Sequence, residues 1–388
     1  MRWSGDWASS VSFMRLRYAP VEEVVIVIAD LYLTSAQEAA SIRNVQMPGL
    51  GRIARYGSRA PIAKGWRPWL AEWAGHATLA TEAPASVASA ASQLQPPEGA
   101  SPMVWLGTPV HFVAGLSSVH LDARGLLQVE LDVRQSLAEE FNTLFAESGY
   151  RLEALRSAGF LLLSPTVATP PTVDPARVLG ASISEALPAA SDAPALRRLS
   201  AEIEMWLYDH PVNLRRVKHG RLPITALWFW GGGVARAGIG FEPEPLDAQN
   251  QDTVPASTVR GAAALMAHAR ATPGVAFGGD PYLHGLWRCA GGSARARPGA
   301  FDEVLGYSGR RAVFVVELSQ AFDEHRDWTV PDALCDLDHR WIARALEALH
   351  RGDIGRLTIV ANDHKLSLGP RDRLKLWRMP RPALAALQ

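Results

Sequence analysis

Residues 202–233 read EIEMWLYDHPVNLRRVKHGRLPITALWFWGGG and predict a helix, a break, a short polar segment, a strand and a glycine turn. The helix should end before Pro211, because the residue that precedes a proline is pushed out of the helical region. Residues 224–230 form an almost wholly apolar run of strand length. Open α/β sheets bind ligands at the ends of such strands, although three glycines also let a chain turn sharply. Both interpretations of the glycine turn remain open from the residues alone.

Three other apolar runs have the length of a strand. Residues 23–30 read EVVIVIAD, residues 311–318 read RAVFVVEL, and residues 357–360 read LTIV and precede Ala-Asn-Asp-His. Continuous apolar runs are typical of parallel strands that are buried on both faces. Each run is followed by polar residues, which parallel sheets gather at one edge. The sequence therefore predicts an α/β fold with a mainly parallel sheet flanked by helices.

The segment His210-Pro211-Val212-Asn213, with Arg215, Gly220 and Pro223 before the strand, is similar to a segment of a known family. It resembles the archaeal-type, 2,3-bisphosphoglycerate-independent phosphoglycerate mutases of the alkaline phosphatase superfamily. Residues 47–57 (MPGLGRIARYG) resemble the helix that follows the first core strand in that superfamily. The Trp-rich strand at 227–230 looks more like a divergent bacterial branch that includes RpfE-type regulatory proteins.

The resemblance implies an alkaline-phosphatase-like core formed by residues 18–105 and 206–385. A smaller α+β domain at 106–205 would be inserted into this core, and in the mutases such a domain closes over phosphoglycerate. Residues 1–17 are expected to be an N-terminal extension. The strands that end at Asp30, Trp230, Leu318 and Val360 should then lie in one sheet.

The same resemblance implies a divalent metal of the manganese type and a phosphorylated serine. By position in the family pattern, Asp30 matches the aspartate that ends the first core strand, and Asp363 and His364 match an Asp-His metal pair. Asp323 and His325 match the residue types of a second metal-binding segment. Asp30, Asp363 and His364 are therefore expected within a few ångströms of one another.

The chain departs from the family pattern at three points. His325 follows Asp323 by two positions where the family has four, and no histidine follows His364. The expected serine has no counterpart, and Thr78 is a weak candidate nucleophile whose surroundings do not match. Two-metal phosphoryl transfer needs both ions and a nucleophile, so we expect a degenerate site.

The candidate substrate-binding residues surround the break and the glycine turn. They are His210, Asn213, Arg215, Gly231, Gly232 and Gly233. The break fixes the polar side chains, and glycine lets the backbone approach an anion closely. In the structural alternative, His210 and Asn213 only satisfy backbone groups that are left open where the helix ends.

Composition limits the other classes of function. Lys plus Arg and Asp plus Glu both number 39, so no net charge favours a nucleic acid or a membrane surface as partner. Cys289 and Cys335 are too few for a disulfide framework. No apolar run approaches the ~20 residues of a membrane span. We therefore expect a cytoplasmic protein.

Two functions from different classes fit these observations. The first is a phosphoglycerate mutase-like protein with a degenerate metal and phosphoserine site that binds a small phosphorylated or anionic ligand. If it were active, it would be a metal-dependent mutase or phosphohydrolase. The alternative is a non-catalytic regulatory protein that uses the mutase fold as a binding or interaction module.

Overall fold

The structure is a computed structural model that describes residues 20–32, 46–93, 102–165, 170–187, 193–236, 274–307 and 310–372. The expected N-terminal extension at 1–17 lies outside these residues. In the described part of the chain, every helix is too short or too polar to span a bilayer.

The chain forms twelve strands and ten α-helices in these ranges. The strands are β1 Glu23–Ile28, β2 Ser58–Pro61, β3 Met103–Ala114, β4 Val119–Leu126, β5 Arg151–Ala154, β6 Phe160–Ser164, β7 Ala226–Val234, β8 Val275–Phe277, β9 Ala294–Arg295, β10 Arg311–Val316, β11 Leu357–Ala361 and β12 His364–Leu368. The helices are α1 Pro48–Tyr56, α2 Trp66–Trp73, α3 Pro84–Ser89, α4 Leu131–Leu144, α5 Pro194–Tyr208, α6 Pro211–Lys218, α7 Pro281–Cys289, α8 Ser319–Glu324, α9 Val330–Leu337 and α10 Ala343–Arg351.

Seven strands form the main sheet in the order β2-β12-β11-β1-β10-β8-β9. The five strands from β11 to β9 run parallel, and β12 and β2 add an antiparallel edge. Side chains alternate between the two faces of a strand, so Val24 and Ile26 pack towards α1, α9 and α10, while Val25 and Val27 pack towards α2 and α7. The predicted mainly parallel sheet flanked by helices is confirmed.

A second, antiparallel sheet has the order β4-β3-β6-β5, and β7 pairs with β3. The prediction that the strand through Trp230 lies in the main sheet is therefore wrong. The reason is that the second sheet is covered on both faces: Leu227 and Phe229 enter one core, and Trp228 and Trp230 enter the other. Such a strand has the same continuous apolar run as a buried parallel strand.

The predicted break falls between two helices. α5 ends at Tyr208, and α6 begins at Pro211, so the polar segment after the break is itself helical. Proline is favoured at the first helical position, because its missing N–H would have no partner there.

Candidate functional site

The start of α6 is closed by its own residues. The Val212 amide donates a hydrogen bond to Nδ1 of His210 at 3.2 Å, and Nε2 of His210 lies 2.9 Å from the Glu140 carboxylate. Since Nδ1 accepts, Nε2 carries the proton and donates to Glu140. Arg215 is exposed on the outer side of the same helix.

The side chain of Asn213 forms hydrogen bonds with backbone groups of the protein. Its Nδ2 donates to the carbonyls of Leu207 at 2.6 Å and Ile224 at 2.7 Å, and its Oδ1 accepts from the Ile224 amide at 2.7 Å. Asn213 is only 4 % exposed. These contacts tie the end of α5 to the segment that leads into β7, which is the structural alternative that the sequence left open.

The three glycines of the turn differ in their surroundings. Gly231 has a φ of 65° and donates its amide hydrogen to Thr172 at 3.0 Å. A Cβ atom on Gly232 would lie 2.4 Å from the ring of Trp105, and Gly233 is equally crowded against the start of α3. Close packing therefore accounts for Gly232 and Gly233, whereas Gly231 borders a cavity described below.

Asp30 follows β1 and holds the start of α8. Its two carboxylate oxygens accept hydrogen bonds from the amides of Leu318 at 2.7 Å and Ser319 at 2.8 Å. Burial raises the pKa of Asp30, although the two amides act in the opposite direction. Asp30 thus serves as a cap for a helix N-terminus, where a carboxylate is favoured.

Asp363 and His364 belong to the hairpin between β11 and β12. Asn362 and Asp363 have φ values of 47° and 57°, as a two-residue hairpin turn requires. The guanidinium of Arg177 donates to both oxygens of Asp363 at 2.8 Å. Nδ1 of His364 lies 2.9 Å from the Asn362 carbonyl and Nε2 lies 2.8 Å from Arg59. Because arginine only donates, Nε2 accepts and both ring nitrogens are occupied.

The remaining predicted residues lie apart from these. The ring of His325 stacks on Trp328 at 3.8 Å between centroids. Asp323 borders a different cavity with Arg221. Thr78 is exposed and lies beyond the C-terminal end of α2.

A divalent metal does not fit the predicted ligand set. An imidazole binds a metal through a ring lone pair, and the lone pair of His364 accepts from Arg59. The Asp363 carboxylate is paired with Arg177, and the Asp30 carboxylate is held by two amides. Across the described ranges, no group of three or more His, Cys, Asp or Glu side chains could hold an ion. The partners of these three residues lie within the protein, and their convergence on a metal stays a prediction.

The start of α2 borders a cavity of about 330 Å³, which we call the Arg67 cavity. It is lined by Tyr32, Lys64, Gly65, Trp66, Arg67, Pro68, Glu82, Pro84, Thr172, Asp174, Arg177, Trp230, Gly231 and Tyr282. Gly65 occupies the N-cap position with a φ of 83°, a conformation that favours glycine, and no side chain caps this helix. By contrast, Asp280 caps α7 through the Leu283 amide, and Asp30 holds the start of α8.

Three residues of the Arg67 cavity carry buried donors that have no partner within the described structure. The donor atoms are Nε1 of Trp66, Nε of Arg67 and the hydroxyl of Tyr282. Trp66 is 4 % exposed and Tyr282 is 1 % exposed. Buried polar groups are nearly always hydrogen-bonded, so these three donors beside one cavity lack the partner that such groups usually have.

The ionised side chains of the cavity wall are paired, with the exception of Lys64. The carboxylates of Asp174 and Glu82 are already paired, with Arg67 and Arg236 respectively. Burial lowers the pKa of Arg67, but Asp280 and Asp174 raise it overall, so the guanidinium stays charged. Lys64 is exposed and has no ion-pair partner among the described residues. Arg67 is shared between the carboxylates of Asp174 and Asp280, so Lys64 is the cation of the wall that pairs with no carboxylate among the described residues.

Glu317 lies beside this region, at the end of β10. Its Oε2 accepts hydrogen bonds at 3.1 Å from the amides of Gln128 and Gln320. Burial raises its pKa to about 7, and the carboxylates of Asp280 and Asp30 add to the effect. Carboxyls with such pKa values are enriched at functional sites.

Of the residues that line the Arg67 cavity, the sequence analysis selected only Gly231. The available signal was a glycine before an amphipathic helix, WRPWLAEW, with no residue that could cap it. Arg177 carried no signal, because its partner Asp363 is 186 positions away.

Fold and site together define a mixed α/β protein with an antiparallel second sheet and a cavity at the start of α2. No protein-family model matches the sequence. The chain is 39 % identical over 69 residues to a 2,3-bisphosphoglycerate-independent phosphoglycerate mutase of Methanothrix thermoacetophila, which is 18 % of this chain and 17 % of that protein. It is 36 % identical over 78 residues to the corresponding enzyme of Methanosarcina mazei, which is 20 % of this chain and 19 % of that protein.

The predicted resemblance to these mutases is thus confirmed over a segment that spans less than a fifth of their length. Among solved structures, the chain is similar to a cofactor-independent phosphoglycerate mutase from Thermoplasma acidophilum, with 15 % identity, a TM-score of 0.35 and coverage of 89 % of this chain and 88 % of that chain. It is also similar to a protein from Pyrococcus horikoshii, with 14 % identity, a TM-score of 0.43 and coverage of 95 % and 93 %. Both superpositions are too loose to assign equivalent residues.

Proposed function

We propose that this chain is a mutase-like protein that binds a small phosphorylated or anionic ligand in the Arg67 cavity without a metal ion. The observation that carries the proposal is the set of unmatched buried donors of Trp66, Arg67 and Tyr282 around an uncapped helix start. Helix N-termini bind phosphate and carboxylate groups, because their free amides and the helix dipole favour negative charge.

The residues that were predicted to bind a metal already have hydrogen-bonding partners within the protein. These contacts support anion binding over metal-dependent catalysis. The guanidinium of Arg177 makes a two-fold contact with Asp363, as a guanidinium and a carboxylate commonly do. This arrangement gives the Asp363 carboxylate a fixed positive partner. Asp30 is likewise held by the amides of Leu318 and Ser319.

Titration calorimetry in the presence of a chelator tests the proposal. Inorganic phosphate and 3-phosphoglycerate serve as probes. Lys64→Gln should weaken binding by about threefold to tenfold, because it removes the one unpaired cation of the wall. Arg198→Gln is the matched control, since Arg198 is 83 % exposed and its ion pair with Glu202 lies on α5. The control should bind both probes like the wild type.

Two results would overturn the proposal. One is the absence of binding of either probe to the wild-type protein. The other is binding that requires added manganese, together with conversion of 3-phosphoglycerate to its 2-phospho isomer. The second result would support the hypothesis that the protein is a metal-dependent mutase.

A further inference from the structure

A second small cavity lies where the inserted sheet meets the main unit, and it is lined by arginines. We call it the junction cavity; its volume is about 70 Å³. Arg124 and Arg221 reach it from β4 and from the segment after α6, and Arg326 reaches it from the segment after α8. Three arginine residues from two structural units therefore line one compact space.

Arg326 supplies the unpaired charge of this cavity. Its carbonyl accepts a hydrogen bond from Arg124 at 2.9 Å, but its guanidinium has no ion-pair partner in the described part of the chain. The guanidinium passes the backbone of Gly220 so closely that a Cβ atom there would lie 2.7 Å from Nη1. Gly220 thus leaves the space in which Arg326 reaches the inserted unit.

A buried donor behind the cavity wall is also unmatched. Arg216 is 6 % exposed; its Nε donates to the Leu222 carbonyl at 2.8 Å and its Nη1 donates to the Gln128 carbonyl at 3.1 Å. Its Nη2 has no partner. Leu222 lines the junction cavity, so this donor lies directly behind it. Burial lowers the pKa of Arg216, which indicates that its charge is under-compensated.

Three carboxylates balance part of this charge. Glu130 pairs with Arg221, and Asp122 lies 4.0 Å from Arg124. Asp323 lines the cavity; burial raises its pKa, while Arg216 and Arg221 act in the opposite direction. A carboxylate on the wall repels an oxyanion that has no proton, but it accepts a hydrogen bond from one that carries a hydroxyl group.

We propose that the junction cavity is a second anion site, which binds a phosphate group across the two units. The arginines would bind the phosphate oxygens through charge-assisted hydrogen bonds, and Asp323 would accept the hydrogen bond of a P–OH group. The same arrangement would discriminate against sulfate, which carries no proton near neutral pH. This site is separate from the Arg67 cavity and does not depend on the function proposed for it.

Equilibrium dialysis with labelled inorganic phosphate counts the sites. Arg326→Gln should bind one phosphate fewer per chain than the wild type, and Lys64→Gln should retain the phosphate that depends on Arg326. Arg198→Gln, with the same change of charge on an exposed helix face, should bind as the wild type does. Sulfate should compete about tenfold less well than phosphate at the Arg326-dependent site, as expected for one charge-assisted hydrogen bond. Asp323→Asn should remove most of that preference.

Equal phosphate binding by Arg326→Gln and the wild type would overturn the second site. So would equal competition by sulfate and phosphate, because the role of Asp323 would then be absent. If Lys64→Gln loses one phosphate and retains the phosphate that depends on Arg326, the junction site is supported. The lost phosphate then concerns the Arg67 cavity alone.

Discussion

The helices that begin at Pro211 and at Trp66 start in opposite ways. α6 begins with His210 as a cap, and Asn213 satisfies backbone groups on both sides of the break. α2 begins at Gly65 without a side-chain cap, and the donors of neighbouring Trp66 and Arg67 are unmatched. Both starts are rich in polar atoms, yet only the second has atoms left for a ligand.

The difference shows how scaffold and binding residues can be separated. A polar side chain whose hydrogen bonds are all made within the protein stabilises the fold, and its removal leaves buried groups unpaired. A buried donor without a partner destabilises the free fold, because it has lost its hydrogen bond to water, and it gains a partner when a ligand binds. His210 and Asn213, at the start of α6, belong to the first kind, and Trp66 and Tyr282, beside the start of α2, belong to the second.

The largest effect is expected for Asn213→Leu. The substitution leaves the amide and the carbonyl of Ile224 without partners and removes one of the donors to the Leu207 carbonyl, so the free energy of unfolding should fall by about 3–5 kcal/mol. Chemical denaturation measures this change. Leu214→Ala is the control, because Leu214 is 64 % exposed and should matter little. Equal stability of Asn213→Leu and the wild type would remove the scaffold role.

A second, pH-dependent effect is expected at Glu317. Its carboxyl group is near those of Asp280 and Asp30, which cap α7 and α8. Its pKa is about 7 in the folded state and has an ordinary value of 4.5. Between these values the folded state keeps a proton that the unfolded chain has lost, so the free energy of unfolding falls as the pH rises. Above pH 7 the loss should reach about 3 kcal/mol.

Denaturation of the wild type and Glu317→Gln between pH 4.5 and 8 isolates this contribution. The variant should gain stability relative to the wild type as the pH rises and should be the more stable protein at pH 8. Glu347→Gln serves as the control on an exposed face, where the side chain is 53 % exposed. A difference between variant and wild type that is independent of pH would contradict the assignment.

The parallel part of the fold was predictable from the sequence, because β1, β10 and β11 are continuous apolar runs that end in polar residues. The placement of β7 was not. Its Leu227 and Trp228 are buried in two different cores, and burial on both faces gives one pattern for parallel and antiparallel strands. The apolar pattern of such a run does not show which strands it pairs with, and this pairing decides whether the strand is parallel or antiparallel.

The candidate site was less predictable than the fold. Asp363 was selected for its place beside a histidine, but the positive φ values of Asn362 and Asp363 make the pair a hairpin turn. Arg67 was not selected, because its partners Asp174 and Asp280 are 107 and 213 positions away. Which polar groups are already satisfied depends on such distant partners and cannot be read from local pattern.

A smaller effect is expected for Tyr282→Phe, at the open helix start. The buried hydroxyl of Tyr282 has no partner, so its removal should raise the free energy of unfolding by about 1 kcal/mol. Phosphate affinity should fall by about 0.5–1.5 kcal/mol, as for one hydrogen bond. Calorimetry and denaturation on the same preparation check both values. A variant that loses stability but keeps its affinity would assign Tyr282 to the scaffold.

The smallest effect is expected for Arg215→Ala, at the closed helix start. Arg215 was a candidate ligand residue in the sequence, yet its side chain is exposed on α6 and its electrostatic effect is on Glu140, whose carboxylate is bonded to His210. Exposed charges of this kind contribute little, so stability and phosphate affinity should both change by less than about 0.5 kcal/mol. Titration with inorganic phosphate and denaturation measure the two quantities. A loss of affinity larger than that of Lys64→Gln would move the ligand from the start of α2 to the start of α6 and would reverse the comparison between them.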